Sequence, residues 1–182
     1  MSGIRMMCAA TACFLVVLGS ACAPERRAAE GAKALPRLRR AESFLGIHFD
    51  FHAGPDCRAV GSNTTPAMVA AILDQVKPDY VQIDCKGHPG YSSYPTRVGQ
   101  PVPGFVGDPL RVWRQVTADK GVGLFMHYSG VWDGAAVAKH PEWAAVGADG
   151  KPNAKATSVF GPYADELLIP QLRELASVYG VD

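Results

Sequence analysis

Three ionisable side chains alternate with apolar ones along a single short stretch of this chain. His48, Asp50 and His52 are interleaved with Ile47, Phe49 and Phe51. A period of two sends successive strand side chains to opposite faces, so the polar three share one face and the apolar three the other. Such groups are costly to bury without a purpose, and imidazole with carboxylate can bind hydroxyls, move protons or ligate a metal. Two further clusters have the same character. Asp84-Cys85-Lys86-Gly87-His88-Pro89-Gly90-Tyr91 offers a carboxylate, an ammonium, an imidazole and a phenol, a set suited to a polyhydroxyl ligand. His127-Tyr128-Ser129 is followed by Trp132-Asp133 and then by His140-Pro141-Glu142-Trp143. Tryptophans in a loop cover something, either a ligand or the rim of the fold. The candidate binding residues are therefore His48, Asp50, His52, Asp84, Lys86, His88, Tyr91, His127, Tyr128, Trp132, Asp133 and Trp143.

A repeated strand–helix pattern positions them. Phe44 to Phe51 (FLGIHFDF) reads as a strand rich in aromatic and aliphatic residues. Thr65-Pro66 supplies a cap and a first-turn proline for a helix ending at Val76, with Met68, Ile72 and Val76 on one face. Asp79 to Cys85 (DYVQIDC) is a second strand, and Asp108-Pro109 repeats the capping device for a helix running to about Lys120. Val122 to Tyr128 (VGLFMHY) is a third strand, followed by a long loop. Gly161-Pro162 opens a last helical stretch, which Pro170 must kink or divide and Gly180 closes. Val181-Asp182 reads as the start of a fourth strand. This alternation specifies an α/β fold with a parallel sheet, whose functional face lies at the strand C-termini, where the polar clusters fall. Three and a half such units fill about 140 residues, against about 250 for a complete eight-fold barrel. The expectation for residues 43–182 is the N-terminal portion of a (β/α)8 TIM barrel, cut short; a small complete three-stranded domain is the alternative.

Charge and composition narrow the function. The 182 residues carry 18 Lys+Arg against 17 Asp+Glu, a formal net charge of +1, which excludes the concentrated positive charge of a nucleic-acid binder. At 48% hydrophobic and 19% charged residues the chain is not a disordered one. Arg5, the apolar run from Met6 to Gly19 and the small residues Ser20-Ala21-Cys22-Ala23 read as a secretory signal over residues 1–22. The run is too short for a bilayer span of about 20 residues. Two processing routes are open: ordinary cleavage around Ala21-Cys22-Ala23, or a bacterial lipobox, Leu18-Gly19-Ser20-Ala21-Cys22, with Cys22 lipidated. Either exports the protein to the periplasm or cell surface, with membrane attachment only through that N-terminal lipid. Residues 23–42 form a basic linker, with Arg26, Arg27, Lys33, Arg37, Arg39 and Arg40 against Glu25, Glu30 and Glu42. Cys57 and Cys85 then remain in a compartment where a disulfide persists, and both follow strands that should be neighbours. There is no C-x-x-C pair, and no motif requires a cofactor or a metal.

The segments GIHFDFHAG, DYVQIDCKGHPGYSSYPT and GLFMHYSGVWD, in this order, resemble the strand-end motifs of the α-L-fucosidase-like glycoside hydrolases, family 29 and its relatives. The resemblance runs from about Phe44 to Asp182. It implies a retaining (β/α)8 glycosidase whose Asp nucleophile follows strand four, with the acid/base carboxylate later still; both would lie beyond Asp182. It also implies that His48 matches the strand-one sugar-binding His and that His88 matches the second His of a Lys-His-His motif. Tyr128 matches the Tyr of a Tyr-Ser motif on strand three. Two positions depart from the family pattern: Gly87 stands in place of the first His of the pair, and Phe49 in place of a Trp. Retention requires two carboxylates about 5–5.5 Å apart. The expected function is thus that of an exported carbohydrate-active protein, part of an enzyme hydrolysing glycosidic bonds in oligo- or polysaccharides. Two other readings stand beside it. One is a non-catalytic sugar-binding or vestigial lipoprotein. The other is a metal-dependent, amidohydrolase-like hydrolase in which His48-x-Asp50-x-His52 supplies imidazole and carboxylate ligands to zinc.

Overall fold

The computed structural model of this chain describes residues 39–182. The expected signal, Cys22 and the linker up to residue 38 lie outside the described residues. The elements run β1 (Gly46–Phe49), α1 (Pro66–Val76), β2 (Tyr80–Lys86), β3 (Tyr91–Ser92), β4 (Gln100–Pro101), α2 (Pro109–Asp119), β5 (Gly123–Tyr128), α3 (Gly134–Lys139), β6 (Ala144–Val146), β7 (Pro152–Thr157) and α4 (Ile169–Glu174). No helix among the described residues is long and apolar enough to cross a membrane.

The strand β2 is the centre of a mixed α/β layer. It pairs in parallel with β1, Gly46 opposite Tyr80 and Phe49 opposite Ile83, and in parallel with β5, Tyr80 opposite Gly123 and Asp84 opposite His127. Short β3 pairs antiparallel with its end, and β4 lies parallel to β3. Both long helices start where the sequence predicts. Thr65 Oγ1 accepts the Met68 N–H at 3.1 Å and Asp108 Oδ1 accepts the Arg111 N–H at 3.0 Å, with Pro66 and Pro109 in the first turns. The apolar faces of α1 and α2 then close over one face of the sheet. Val69, Leu73, Val81, Ile83, Leu110, Trp113, Val116 and Leu124 form the core, and Phe49 packs its ring 5.0 Å from that of Trp113.

Three expectations need correction. The strand expected over Phe44–Phe51 spans only Gly46–Phe49, because the Asp79 carboxylate accepts the N–H groups of Phe44 and Leu45 at 2.7 and 2.9 Å and so removes them from the ladder. The stretch after the third strand is not a plain loop: it holds α3 and the β6–β7 hairpin. Its turn is carried by Asp149-Gly150, where Gly150 adopts φ 74° and Lys151 N–H donates to Asp149 Oδ1 at 3.1 Å. Finally, Pro170 does not divide the last helix. A proline removes one N–H and crowds the carbonyl four residues back, and here the helix widens instead, with π-helical turns at Ala164–Leu168 and Leu175–Tyr179 flanking α4.

The Asp182 N–H donates to the Leu124 carbonyl at 2.9 Å. The Asp182 carboxylate accepts the Leu124 N–H at 2.8 Å and pairs with Arg114 at 3.0 Å. It therefore sits near the N-terminal ends of the strands, away from the polar clusters. Because Leu124 is fully buried at the middle of this arrangement, Leu124→Ala should cost about 2–5 kcal/mol. The drop would be read as a lower denaturant midpoint in guanidinium unfolding; a change under about 0.5 kcal/mol would contradict this packing.

Candidate functional site

Four of the five histidines of the chain converge at the C-terminal ends of the parallel strands. The ring of His48 stands edge-on to that of His127 at 5.2 Å, His127 lies 6.3 Å from His52, and His52 lies 5.2 Å from His88. Exposed Trp132 continues the series 5.7 Å from His88. Two carboxylates join them: Asp50 Oδ1 lies 2.8 Å from His52 Nε2, and Asp84 Oδ1 lies 3.9 Å from His127 Nε2.

Asp84 is the anomalous member. It is completely buried, and neither of its carboxylate oxygens has a hydrogen-bond partner. Burial pushes its carboxyl above the usual carboxylate range, against the opposing pull of His52, His127 and His48. A cavity of about 420 Å³ borders the group. Asp50, His52, Asp84 and Ser93 give it polar edges, while Phe51, Ile83, Leu110 and Trp113 supply apolar walls. That size and mixture suit a small ligand held by a few polar contacts.

The remaining predicted residues go elsewhere, and the ladder explains why. The pairing of β2 with β5 slips after Asp84, so that Lys86, not Cys85, is the next residue paired and faces Tyr128. A bulge of this kind re-aims the side chains beyond it. Asp84 stays with the histidines, but Lys86 turns to the Tyr128 side, its ammonium 4.6 Å from that ring. There Lys86 Nζ donates to Asp133 Oδ2 at 2.7 Å and to Tyr163 OH at 3.1 Å, with no solvent contact. Burial lowers the Lys86 ammonium from its ordinary value, and Asp133 counteracts that. Asp133 also caps α3 by accepting the Ala136 N–H at 2.8 Å. Lys86 and Asp133 are thus a buried ion pair that ties α3 and Tyr163 to the sheet, not groups facing the cleft.

Three aromatic candidates are placed apart from the histidines too. Tyr128 donates its hydroxyl to Gln171 Oε1 at 2.6 Å, behind the sheet end. Tyr91 is half-buried on β3, opposite Gln100. Trp143 is buried in a small second core with Ala136 and Tyr163, its ring stacked on His140 at 3.9 Å. It packs the rim and does not line the cleft. Cys57 and Cys85, whose pairing the sequence leaves open, are both free thiols in this structure. Each is engaged locally, Cys85 donating to the His127 carbonyl at 3.1 Å and Cys57 accepting the Gly54 N–H at 3.5 Å.

Gly87 belongs to the site by what it lacks. A Cβ there would lie 2.7 Å from the His52 ring, so the absent side chain is what lets that imidazole fold in over the strand end. The sequence reading also missed Tyr163, Gln171 and Glu174, which clamp the loop after β2. Gln171 Nε2 donates to Ser92 Oγ at 2.7 Å, and Glu174 accepts from Tyr94 OH at 3.0 Å and from Arg97 N–H at 2.8 Å. Their only sequence signal is the i, i+3 spacing of Gln171 and Glu174 on one helix face.

Among solved structures, the chain is similar to alpha-L-fucosidase isoenzyme 2 from Paenibacillus thiaminolyticus, with a TM-score of 0.69 and 21% identity over 77% of this chain and 22% of that one. It is also similar to the noncanonic maltogenic alpha-amylase AmyB from Thermotoga neapolitana, with a TM-score of 0.50 and 16% identity over 76% of this chain and 37% of that one. An alpha-L-fucosidase from Vibrio sp. strain EJY3 matches over 64% of this chain and 21% of its own at 19% identity, and its TM-score of 0.43 carries no argument. The chain spans about a fifth of the length of the two fucosidases. No family model matches the sequence. Nor does the sequence match any curated protein. At these identities the likeness shows a shared fold: parallel strands and helices arranged as in part of a carbohydrate hydrolase.

The buried pair yields a test of this assignment. Lys86→Met leaves the Asp133 carboxylate buried without its cation and should destabilise the protein by about 3–5 kcal/mol. The double variant Lys86→Met/Asp133→Asn removes both charges, keeps the amide oxygen available as the α3 cap, and should recover part of that loss. Urea unfolding of the two variants measures both effects; a Lys86→Met protein as stable as the parent would place the lysine in solvent instead.

Proposed function

We propose that this chain is the N-terminal part of the (β/α)8 catalytic barrel of an exported, α-L-fucosidase-like retaining glycoside hydrolase, with residues 43–182 contributing one side of its sugar-binding cleft. The observation that carries this reading is the convergence of His48, His52, His88 and His127 with exposed Trp132 at the parallel strand ends, of which His52 also lines a cavity of ligand size. Imidazoles can donate to or accept from sugar hydroxyls, and an exposed indole offers a flat apolar surface for the C–H face of a pyranose. The shared fold with part of a fucosidase supports it, as does the sequence resemblance of His48 to that family's strand-one sugar-binding His and of His88 to the second His of its Lys-His-His motif.

The roles divide by position. His48, His88 and Trp132 recognise the sugar directly, while His52 occupies the space next to Gly87 where the resembling family carries its first paired His. Lys86 and Tyr128 act from behind, holding the loop that presents His88. The nucleophile and the acid/base carboxylate belong to strands after the four begun here, so that bond cleavage is a property of the longer protein. Export is assigned to the signal over residues 1–22, either by ordinary cleavage or with a lipid on Cys22 as the membrane anchor, and residues 23–42 serve as the linker.

Tryptophan fluorescence of the folded chain, titrated with a panel of monosaccharides that includes L-fucose, tests the reading. A saturable change with at least one sugar is expected, and Trp132→Phe should remove most of the signal. His48→Ala should weaken binding about tenfold, roughly 1.4 kcal/mol. A folded chain that responds to none of the panel, or equally to all with no effect of His48→Ala, would overturn the sugar-cleft assignment.

A further inference from the structure

We propose that His52, Asp84 and His127 form a binding site for one divalent transition-metal ion of the zinc class, with a coordination position left open to the cleft. The proposal goes beyond the sugar reading and does not depend on it.

One ligand atom from each of the three residues lies within 4.8 Å of the other two, and His127 Nε2 is 3.9 Å from Asp84 Oδ1. Around a zinc ion with ligands at 2.0–2.1 Å, the corners of a tetrahedron are about 3.4 Å apart. Small side-chain rotations close the difference. Asp84 and His127 are directly opposite each other on adjacent strands, which fixes two of the three ligands on rigid backbone.

Independent support comes from Asp84 itself. A completely buried carboxylate with no donor on either oxygen is an unpaid desolvation, which native proteins ordinarily satisfy with a hydrogen bond, a cation or a metal. Among the described residues no lysine or arginine pairs with it: Lys86, two residues on, is turned away into its pair with Asp133. The groups that do face it are imidazoles, whose lone pairs ligate a metal when neutral. Asp50 adds the outer element of such a site, holding His52 Nε2 at 2.8 Å as carboxylates orient and polarise ligating histidines.

The donor set chooses among ions. Two imidazole nitrogens and one carboxylate oxygen favour zinc, cobalt or nickel over magnesium and calcium, which take oxygen ligands. Three protein ligands also leave a fourth position for water or a substrate hydroxyl, as in zinc sites that bind or activate ligands. His48 is not a ligand, because it sits opposite Gln82, one step down the sheet from the Asp84–His127 row.

The test uses the tag-free full chain, stripped with chelator, checked for folding by circular dichroism and titrated with zinc or cobalt alone. Expected is saturable binding whose affinity falls at least tenfold in each of His52→Gln, Asp84→Asn and His127→Gln, with His140→Gln unchanged. Bound cobalt should show visible d–d bands that the His52→Gln variant lacks, without a thiolate charge-transfer band. His52 is exposed, so His52→Gln keeps the test valid if Asp84→Asn fails to fold. The proposal is overturned if the folded chain binds neither ion, if binding survives any folded variant of the three, or if the cobalt spectrum reports cysteine ligation. Because no sugar is present, these outcomes are separate from those of the sugar titration.

Discussion

The slip in the β2–β5 ladder after Asp84 decides what each end of the strand does. In an unbroken strand Asp84 and Lys86 would share a face and pair with each other or with the same ligand. The extra residue separates them: the carboxylate goes to the histidine side and the ammonium to the Tyr128 side. Lys86 then finds Asp133 and Tyr163, and that buried pair ties the strand end to α3 and to the start of the last helical run. Asp84 is left with no cation from its own strand. The separation of Asp84 from Lys86 and the anchoring of the loops around Lys86 thus come from one local irregularity.

The two charged environments contrast in a way that bears on function. The Lys86–Asp133 pair is buried but complete, with short contacts, a tyrosine hydroxyl and a helix cap satisfying its remaining valences. Such a pair contributes mainly by fixing one arrangement of the elements that it joins. Asp84 is equally buried yet incomplete. An incomplete polar group is tolerable where something else completes it, and such groups concentrate at functional sites. Lys86 of the complete pair and the incomplete Asp84 are two residues apart, and their hydrogen bonding tells them apart where their positions in the sequence do not.

Much of this framework was legible in the sequence. The cap-and-proline starts of α1 and α2, the three parallel strands and the alternation that puts His48 on the face opposite Ile47 and Phe49 all follow from local patterns. The slip at Cys85 does not, and with it goes the Lys86–Asp133 pair, whose partners are 47 residues apart in the sequence. Hence Lys86 and Asp133 read as ligand-binding groups although they are structural. Trp143 misled for a related reason: a loop tryptophan covers something in either case, and only its stack on His140 shows that here it is core. The Asp149-Gly150 turn carried a hairpin signal that a polar stretch concealed. The grouping of His52 with Asp84 and His127, rather than with His48 and Asp50 alone, required the strand register.

The proposed sugar cleft and the proposed metal site draw on the same strand ends. Of the three proposed ligands Asp84 is buried, His127 half-buried and His52 exposed, and His88 and Trp132 extend the exposed side of the group. A sugar stacked on Trp132 would approach the cluster from that side and bring its hydroxyls toward the open coordination position. A metal there would supply to a hydroxyl the positive charge that a lysine at position 86 would have supplied in an unbroken strand. The slip in β2 would then have a chemical consequence as well as a structural one: with a metal bound, the positive charge beside Asp84 would come from an exchangeable ion in place of the Lys86 side chain.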